Sequence, residues 1–368
     1  EISLGLVGSE MCIRDSLYTS SVLGNLSLTG AWVAILAARG YSLVEIGFVE
    51  TVFHVTSIIF EIPSGIFADV FGRKNMLIVS SILRMIANVV MIASGNLFTI
   101  CLSIALHAMS YNFSSGSGDA LAYDSLKIYG EESYYAKYES DQLSIYRLCN
   151  GISTLCAGFA LYIGYRAAYG TDILMCLVQI FVLNRIWEHR EHRDHKANTI
   201  VRALVDCWWE SIQFLKDARR AIVLMLVNSL VGAGDILLLF FLQAKLPESG
   251  IPNALLGMAL FIMELGGILG ARVILLCDRL RYRTVFVLTG FLVLLGIAVE
   301  HSGNYVIMTL GGFIAAFSDD ALQVRTNTIL QNMFPSEQRA TLISMESFTF
   351  SMIMIVLSPL TGILFSWW

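Results

Sequence analysis

Charge is scarce in this chain. Of 368 residues only 14% are Asp, Glu, Lys or Arg, where a soluble domain carries about a quarter. With 56% apolar residues and a positive mean hydropathy, that deficit excludes an ordinary soluble domain. Segments of about ten residues alternating between apolar and polar are missing too, which excludes a transmembrane barrel. The seven cysteines, Cys12, Cys101, Cys149, Cys156, Cys176, Cys207 and Cys277, form no C-x-x-C pair and no metal-ligand spacing, so they are read as small buried hydrophobes. No H-E-x-x-H, G-x-S-x-G or phosphate-binding loop occurs, so the chain is not expected to be an enzyme. The formal charge is -5 and the bases sit in short loops, which speaks against a nucleic-acid partner.

What is present in abundance is apolar sequence. Stretches of about 20 residues, each long enough to cross roughly 30 Å of hydrocarbon as a helix, recur along the whole length. Eleven spans are expected, near 17–38, 43–67, 75–94, 97–122, 141–163, 168–187, 219–243, 253–276, 284–300, 304–328 and 340–364. Lipid cannot satisfy backbone groups, so these must be helices. The fold class is therefore an all-α polytopic membrane protein.

The two ends stand apart. LVGSEMCIRDS, Leu6 to Ser16, has neither the basic start nor the apolar centre of a signal peptide and reads as a translated sequencing adapter. Residues 1–16 are set aside as an adapter-derived tail. The chain stops at Trp368 directly after a span, so a twelfth helix is expected to be missing.

Arg73 and Lys74, Lys127 and Lys137, the bases between Arg185 and Arg220, Arg279, Arg281 and Arg283, and Arg339 fall in alternate loops. Arg39, Arg166 and Lys245 fall in the others, so the richer set is expected in the cytoplasm, with the N-terminus. The chain also echoes itself. Gly40 and Gly47 recur as Gly250 and Gly257, and Asp69 with its following bases recurs as Asp278 with Arg279, Arg281 and Arg283. An offset of about 210 residues gives two like-oriented halves, 17–187 and 218–368. Residues 188–217 form a linker in which Ile200, Leu204, Trp208, Ile212 and Leu215 outline an interfacial amphipathic helix. His189, His192 and His195 there admit a metal site, although the interleaved charges favour a solvated loop.

Between the second and third spans stands G-x-x-x-D-x-x-G-R-K: Gly65, Asp69, Gly72, Arg73 and Lys74. In this position the sequence resembles the major facilitator superfamily of secondary transporters, over Leu17 to Trp368. EIPSG (Glu61 to Gly65), SGSGDALAYDSLK (Ser115 to Lys127) and FPSEQRAT (Phe334 to Thr341) echo its bacterial drug-efflux-like members. The glycines allow a tight turn and close helix approach, Asp69 suits a helix N-terminus, and Arg73 can pair with Asp124. The resemblance implies that this motif latches the outward-facing state. It departs from the family at Val70, where a base is common. It also implies two parallel six-helix halves, with spans one, four, seven and ten lining a central cavity.

Buried polar stripes carry the rest of the reading, because an ionisable group at mid-bilayer costs about 2.5 to 3.5 kcal/mol on insertion scales. Glu50, His54, Ser57 and Glu61 share one face of the second span, suited either to proton movement or to a structural hydrogen-bonded stripe. His107, Tyr111, Ser115 and Asp119 repeat the device in the fourth. Asn25, Thr29 and Trp32 in the first span, Asn228, Asp235 and Gln243 in the seventh, and Asp320, Gln323 and Asn327 in the tenth complete the expected cavity. Arg84 is expected to pair structurally with Glu61. Glu50, His54, Asp119, Asp235, Glu264 and Asp320 are the proton-coupling candidates.

The expected function is proton-coupled efflux of a small organic solute by alternating access. The protein would be a monomer in a prokaryotic plasma membrane, without cofactor or metal. Nutrient uptake by symport and a transport-inactive receptor or scaffold of the same fold remain as alternatives.

Overall fold

A computed structural model describes residues 15–128, 130, 134–186, 219–277, 279–299, 302–333 and 339–367. The amphipathic linker, its histidines and Asp278 lie outside them, as do the side chains of Asp69 and Asp119. The regular elements among the described residues are helices, without strands: α1 (15–25), α2 (Trp32–Ala38), α3 (Leu43–Phe71), α4 (Arg73–Ala93), α5 (Leu97–Ile128), α6 (Tyr135–Leu155), α7 (Ala157–Ile163), α8 (Tyr165–Asn184), α9 (Arg219–Glu248), α10 (Asn253–Val273), α11 (Tyr282–Val299), α12 (Tyr305–Met333) and α13 (Arg339–Ser366).

Nine of these helices are long and apolar enough to cross a membrane. They match nine of the eleven expected spans; the exceptions, 17–38 and 141–163, are each interrupted. The first breaks between residues 26 and 31, where the run Leu26-Ser-Leu-Thr-Gly-Ala31 brings two hydroxyls and a glycine that compete with helical backbone bonding. The other breaks at Cys156. Large apolar side chains such as Phe98, Phe159, Phe291 and Leu294 point outward and are exposed, a surface that only lipid or another apolar phase can cover. Between helices the buried positions hold small polar residues instead. Ser80 on α4 and Ser110 on α5 each donate to the other's carbonyl at 2.8 and 2.9 Å, and Ser103 donates to the Ala87 carbonyl at 2.8 Å.

The chain forms two compact units. One comprises the described parts of Glu1–Gly30, Val55–Ser153 and Gly164–Cys207; the other comprises Ala31–His54, Thr154–Ile163 and the described parts of Trp208–Trp368. The boundaries near Gly30 and Ser153 fall beside the two helix interruptions, so α2, α7 and the last two residues of α6 belong with the second unit while α1 and the rest of α6 belong with the first.

Within the second unit the internal repeat has a physical basis. Gly40 and Gly250 end α2 and α9 with φ of +89° and +86°. In both caps an amide five residues along closes back: Tyr41 N–H donates to Leu36 O at 3.2 Å, and Ile251 N–H donates to Leu246 O at 3.5 Å. Only glycine enters that left-handed region without strain. Gly47 and Gly257 bring backbones together. A Cβ on Gly47 would lie 2.4 Å from the Ser358 carbonyl on α13, and one on Gly257 would lie 2.1 Å from the carbonyl of Leu155, the last residue of α6, just before α7. Their partners reciprocate, since Gly362 abuts Leu43 O and Gly158 abuts Asn253 O at 2.6 and 1.9 Å by the same measure. The repeated glycines thus mark pseudo-equivalent crossings, α3 with α13 and α7 with α10.

Candidate functional site

The turn after α3 holds the motif's basic end. Gly72, with φ of +91°, is the N-cap of α4, and this reversal aims Arg73 at α5. There Arg73 forms an ion pair with Asp124 and donates to the Ala120 carbonyl at 2.6 Å. Lys74 donates to the Asn184 carbonyl at the end of α8 at 2.9 Å. The start of α4 is therefore tied to α5 through Arg73 and to α8 through Lys74, and the expected Arg73–Asp124 pair is present.

The polar stripe of α3 divides. His54 Nε2 lies 3.2 Å from Glu50, one turn earlier, and its Nδ1 lies 3.2 Å from the Ser351 hydroxyl on α13. Glu50, His54 and Ser351 are all buried. Ser57 faces α5 instead, donating to Asn112 Oδ1 at 2.9 Å while the Asn112 amide donates to the Ser57 carbonyl at 2.6 Å. Glu61 lies half-buried close to Tyr111. In the described part of the α5 stripe Tyr111 and Ser115 are exposed, and His107 lies near enough to Arg84 to feel its charge.

Arg84 does not pair with Glu61, contrary to expectation. Its guanidinium donates to the carbonyls of Gly24 and Leu23 and, at 3.1 Å, to Gln179 Oε1. The reason lies in the interrupted first span: carbonyls at the end of α1 lose their intrahelical donors, and the half-buried Arg84 guanidinium replaces them. Gln179 in turn donates to Ser20 at 2.9 Å. Thr29, expected in a central cavity, is engaged with Asp172 at 2.5 Å. Asn25 donates to its own helix at Ser21, and Trp32 packs edge-on against Phe240 of α9 with centroids 5.5 Å apart.

The second unit gathers acids. Asp235 on α9 is buried, and Asp319 and Asp320 on α12 and Glu264 on α10 lie near enough to repel it. Glycines make the space. A Cβ on Gly232, nearly one turn before Asp235, would lie 3.1 Å from Asp319, and one on Gly267, nearly one turn after Glu264, would lie 2.5 Å from Asp320. One Asp235 oxygen has no hydrogen-bond partner, and the same holds for carbonyl oxygens of Asn228, Gln243 and Asn327. Asn228 donates to Glu346 of α13 at 3.4 Å. Gln323 is exposed. Among the described residues no group of three His, Cys, Asp or Glu is placed to hold a metal ion, and Cys101, Cys149, Cys156, Cys176 and Cys277 are free.

Sequence reasoning missed Asp319, Asp172, Ser351 and Glu346. Asp319 adjoins a chosen acid but points about 100° away around the helix, so a single-face pattern passes over it. Asp172 sits early in its span, where an acid reads as interfacial.

A family model of the Major Facilitator Superfamily matches residues 16–359. The chain is 23% identical over 357 residues to the MFS-type transporter YxaM of Bacillus subtilis, covering 90% of this chain and 84% of that one. Among solved structures it is similar to a point variant of the nucleoside transporter NupG, with 14% identity and a TM-score of 0.74 over 96% of this chain and 91% of that one. It is also similar to a D-xylose-proton symporter, with 11% identity and a TM-score of 0.68 over 96% and 90%. At such identities the two structures speak for the fold.

Proposed function

The chain belongs to the major facilitator superfamily and is a multi-pass membrane transporter, and from that premise we propose that it moves a small organic solute by alternating access, coupled to protons through the acids of α9, α10 and α12. The observation that carries this reading is the gathering of Asp235, Glu264, Asp319 and Asp320 in one largely buried neighbourhood. The neighbouring acids repel the buried Asp235 and Asp319, and a proton or a cationic solute relieves that repulsion. Acids carried on largely apolar helices suit amphipathic cations, which favours export from a prokaryotic plasma membrane. A second reading, uptake by symport, draws on the nucleoside and xylose–proton carriers of the same fold.

Substrate-dependent proton flux in proteoliposomes tests both. Proton flux opposite in direction to a cationic dye supports export, co-directional flux supports symport, and no flux with any solute removes coupled transport in favour of a scaffold. The like orientation of the two halves has its own check. Single cysteines at positions 73 and 281 are expected to react with a membrane-impermeant thiol reagent from the same side, and labelling from opposite sides would discard the two parallel halves.

The Arg73–Asp124 latch separates stability from turnover. The pair is partly exposed, so its contribution to folding is about 1 kcal/mol or less. Asp124→Asn is expected to leave the melting temperature nearly unchanged while altering the transport rate, and an exchange of the two charges is expected to recover part of that rate. Equal rates in all three proteins would mean that the pair sets topology alone.

A further inference from the structure

The interrupted first span encloses a closed triangle of oxygens. Ser27 Oγ lies 2.7 Å from Thr29 Oγ1 and 2.8 Å from Asp172 Oδ2, and Thr29 Oγ1 lies 2.5 Å from the same Oδ2. Each of the three edges is at hydrogen-bonding length, and each needs one hydrogen. Two hydroxyls supply two. If Asp172 were ionised, one edge would set lone pairs against each other at 2.8 Å or less, and it would open. The Leu28 amide also donates to Asp172, and the Thr29 amide donates to Ser27 Oγ at 3.0 Å, but these hydrogens point at the triangle's corners and close none of its edges.

A second observation points the same way. Asp172 is 7% exposed, and its other oxygen, Oδ1, is buried with no hydrogen-bond partner. For a carboxylate that is a half-charge abandoned in an apolar interior. For an acid with its hydrogen on Oδ2 it is an ordinary carbonyl oxygen, which tolerates desolvation far better. The cation nearby is Arg84 on α4, with His107 of α5 beyond it. Its guanidinium hydrogens go to Gly24, Leu23, Gln179 and the Cys176 sulfur rather than to Asp172. Ser153 of α6 completes the surround, accepting from the Ser27 amide at 3.0 Å.

We propose that Asp172 is a proton-binding site, separate from the acids of the second unit, whose proton on Oδ2 closes the Ser27–Thr29–Asp172 triangle and holds the first span broken. Release of the proton opens the triangle and turns the carboxylate toward Arg84, the nearby group able to neutralise it. Arg84 then withdraws from the Gly24 and Leu23 carbonyls, and those carbonyls regain helical donors. The coupling significance of the site rests on the proton-coupled reading above, but its existence does not.

The test is infrared spectroscopy of the reconstituted protein at neutral pH, without solute or gradient. The wild type is expected to show a protonated-carboxyl C=O band that shifts in D2O and is lost in Asp172→Asn. Should that variant fail to fold, Ser27→Ala with Thr29→Ala keeps Asp172 and is expected to move the band to higher frequency by removing its hydrogen bonds. A spectrum in which Asp172→Asn loses no carboxyl band, or in which the double alanine variant leaves every such band in place, overturns the proposal. Because the band is read at rest, a protein that moves no protons still shows it. Failure of coupled transport and failure of this site are therefore distinguishable.

Discussion

Gly270→Ala is expected to destabilise the protein by about 1–3 kcal/mol, and bulkier replacements to abolish a monodisperse folded product. A Cβ there would lie 1.9 Å from the Phe317 carbonyl oxygen and 2.9 Å from its Cα; one turn earlier, at Gly266, it would lie 2.3 Å from the Phe313 carbonyl. These are backbone atoms of a neighbouring helix, so no rotamer change relieves the clash and α10 must move off α12. Small residues four apart are how membrane helices reach such proximity, because lipid offers no hydrophobic force to press them together. Gly290→Ala on α11 is the matched control. Nothing lies within 4 Å of that position, and alanine is the better helix former by about 0.8–1 kcal/mol. Thermal unfolding of the detergent-solubilised variants reads the contrast directly. Equal melting temperatures for the two alanines would show that α10 and α12 do not approach as described. The consequence reaches function, since α10 carries Glu264 and α12 carries Asp319 and Asp320.

Much of this architecture was legible in the sequence because a membrane imposes blunt rules. Length, hydropathy and basic loops mark nine helices within a few residues, and G-x-x-x-D-x-x-G-R-K marks the turn where Arg73 meets Asp124. The repeated glycines were visible as an offset, and their meaning came from geometry: Gly40 and Gly250 need positive φ, while Gly47 and Gly257 need the absence of a Cβ. What escaped were the consequences of broken helices. LSLTG sits inside an apolar run that reads as a continuous span, so neither the freed carbonyls of Leu23 and Gly24 nor their capture by Arg84 could be anticipated. Without the break, Arg84 seeks a carboxylate, and Glu61 at similar depth was the natural choice. Thr29 was assigned to a cavity for the same reason: helical phase was carried across residues that are not helical. Asp235, Glu264 and Asp320 were found individually, because charge inside an apolar span is conspicuous, while Asp319, on another face of the same helix as Asp320, was not. Their convergence was not, because it depends on which faces of three helices meet.

That convergence makes Asp235→Asn the sharper probe of mechanism. The asparagine keeps the size of the side chain and cannot ionise in a crowded acidic neighbourhood, so folding is expected to survive. The loss should instead appear in coupling. An amide cannot accept and release a proton, and solute movement driven by a pH gradient is expected to fall at least about tenfold, equivalent to about 1.4 kcal/mol in the barrier. Exchange of solute across a membrane without a gradient should fall much less, because it requires the rocking motion but no net proton transfer. The contrast between the two assays is what identifies a coupling residue: a merely structural acid would depress both together. Asp319→Asn provides a second reading of the same group. If the acids act as one set sharing protons, the two single variants and the double variant should lose similar amounts, since each breaks the same shared equilibrium. Additive losses would mean that Asp235 and Asp319 titrate as independent sites, and unchanged gradient-driven transport in Asp235→Asn would move the coupling role away from α9.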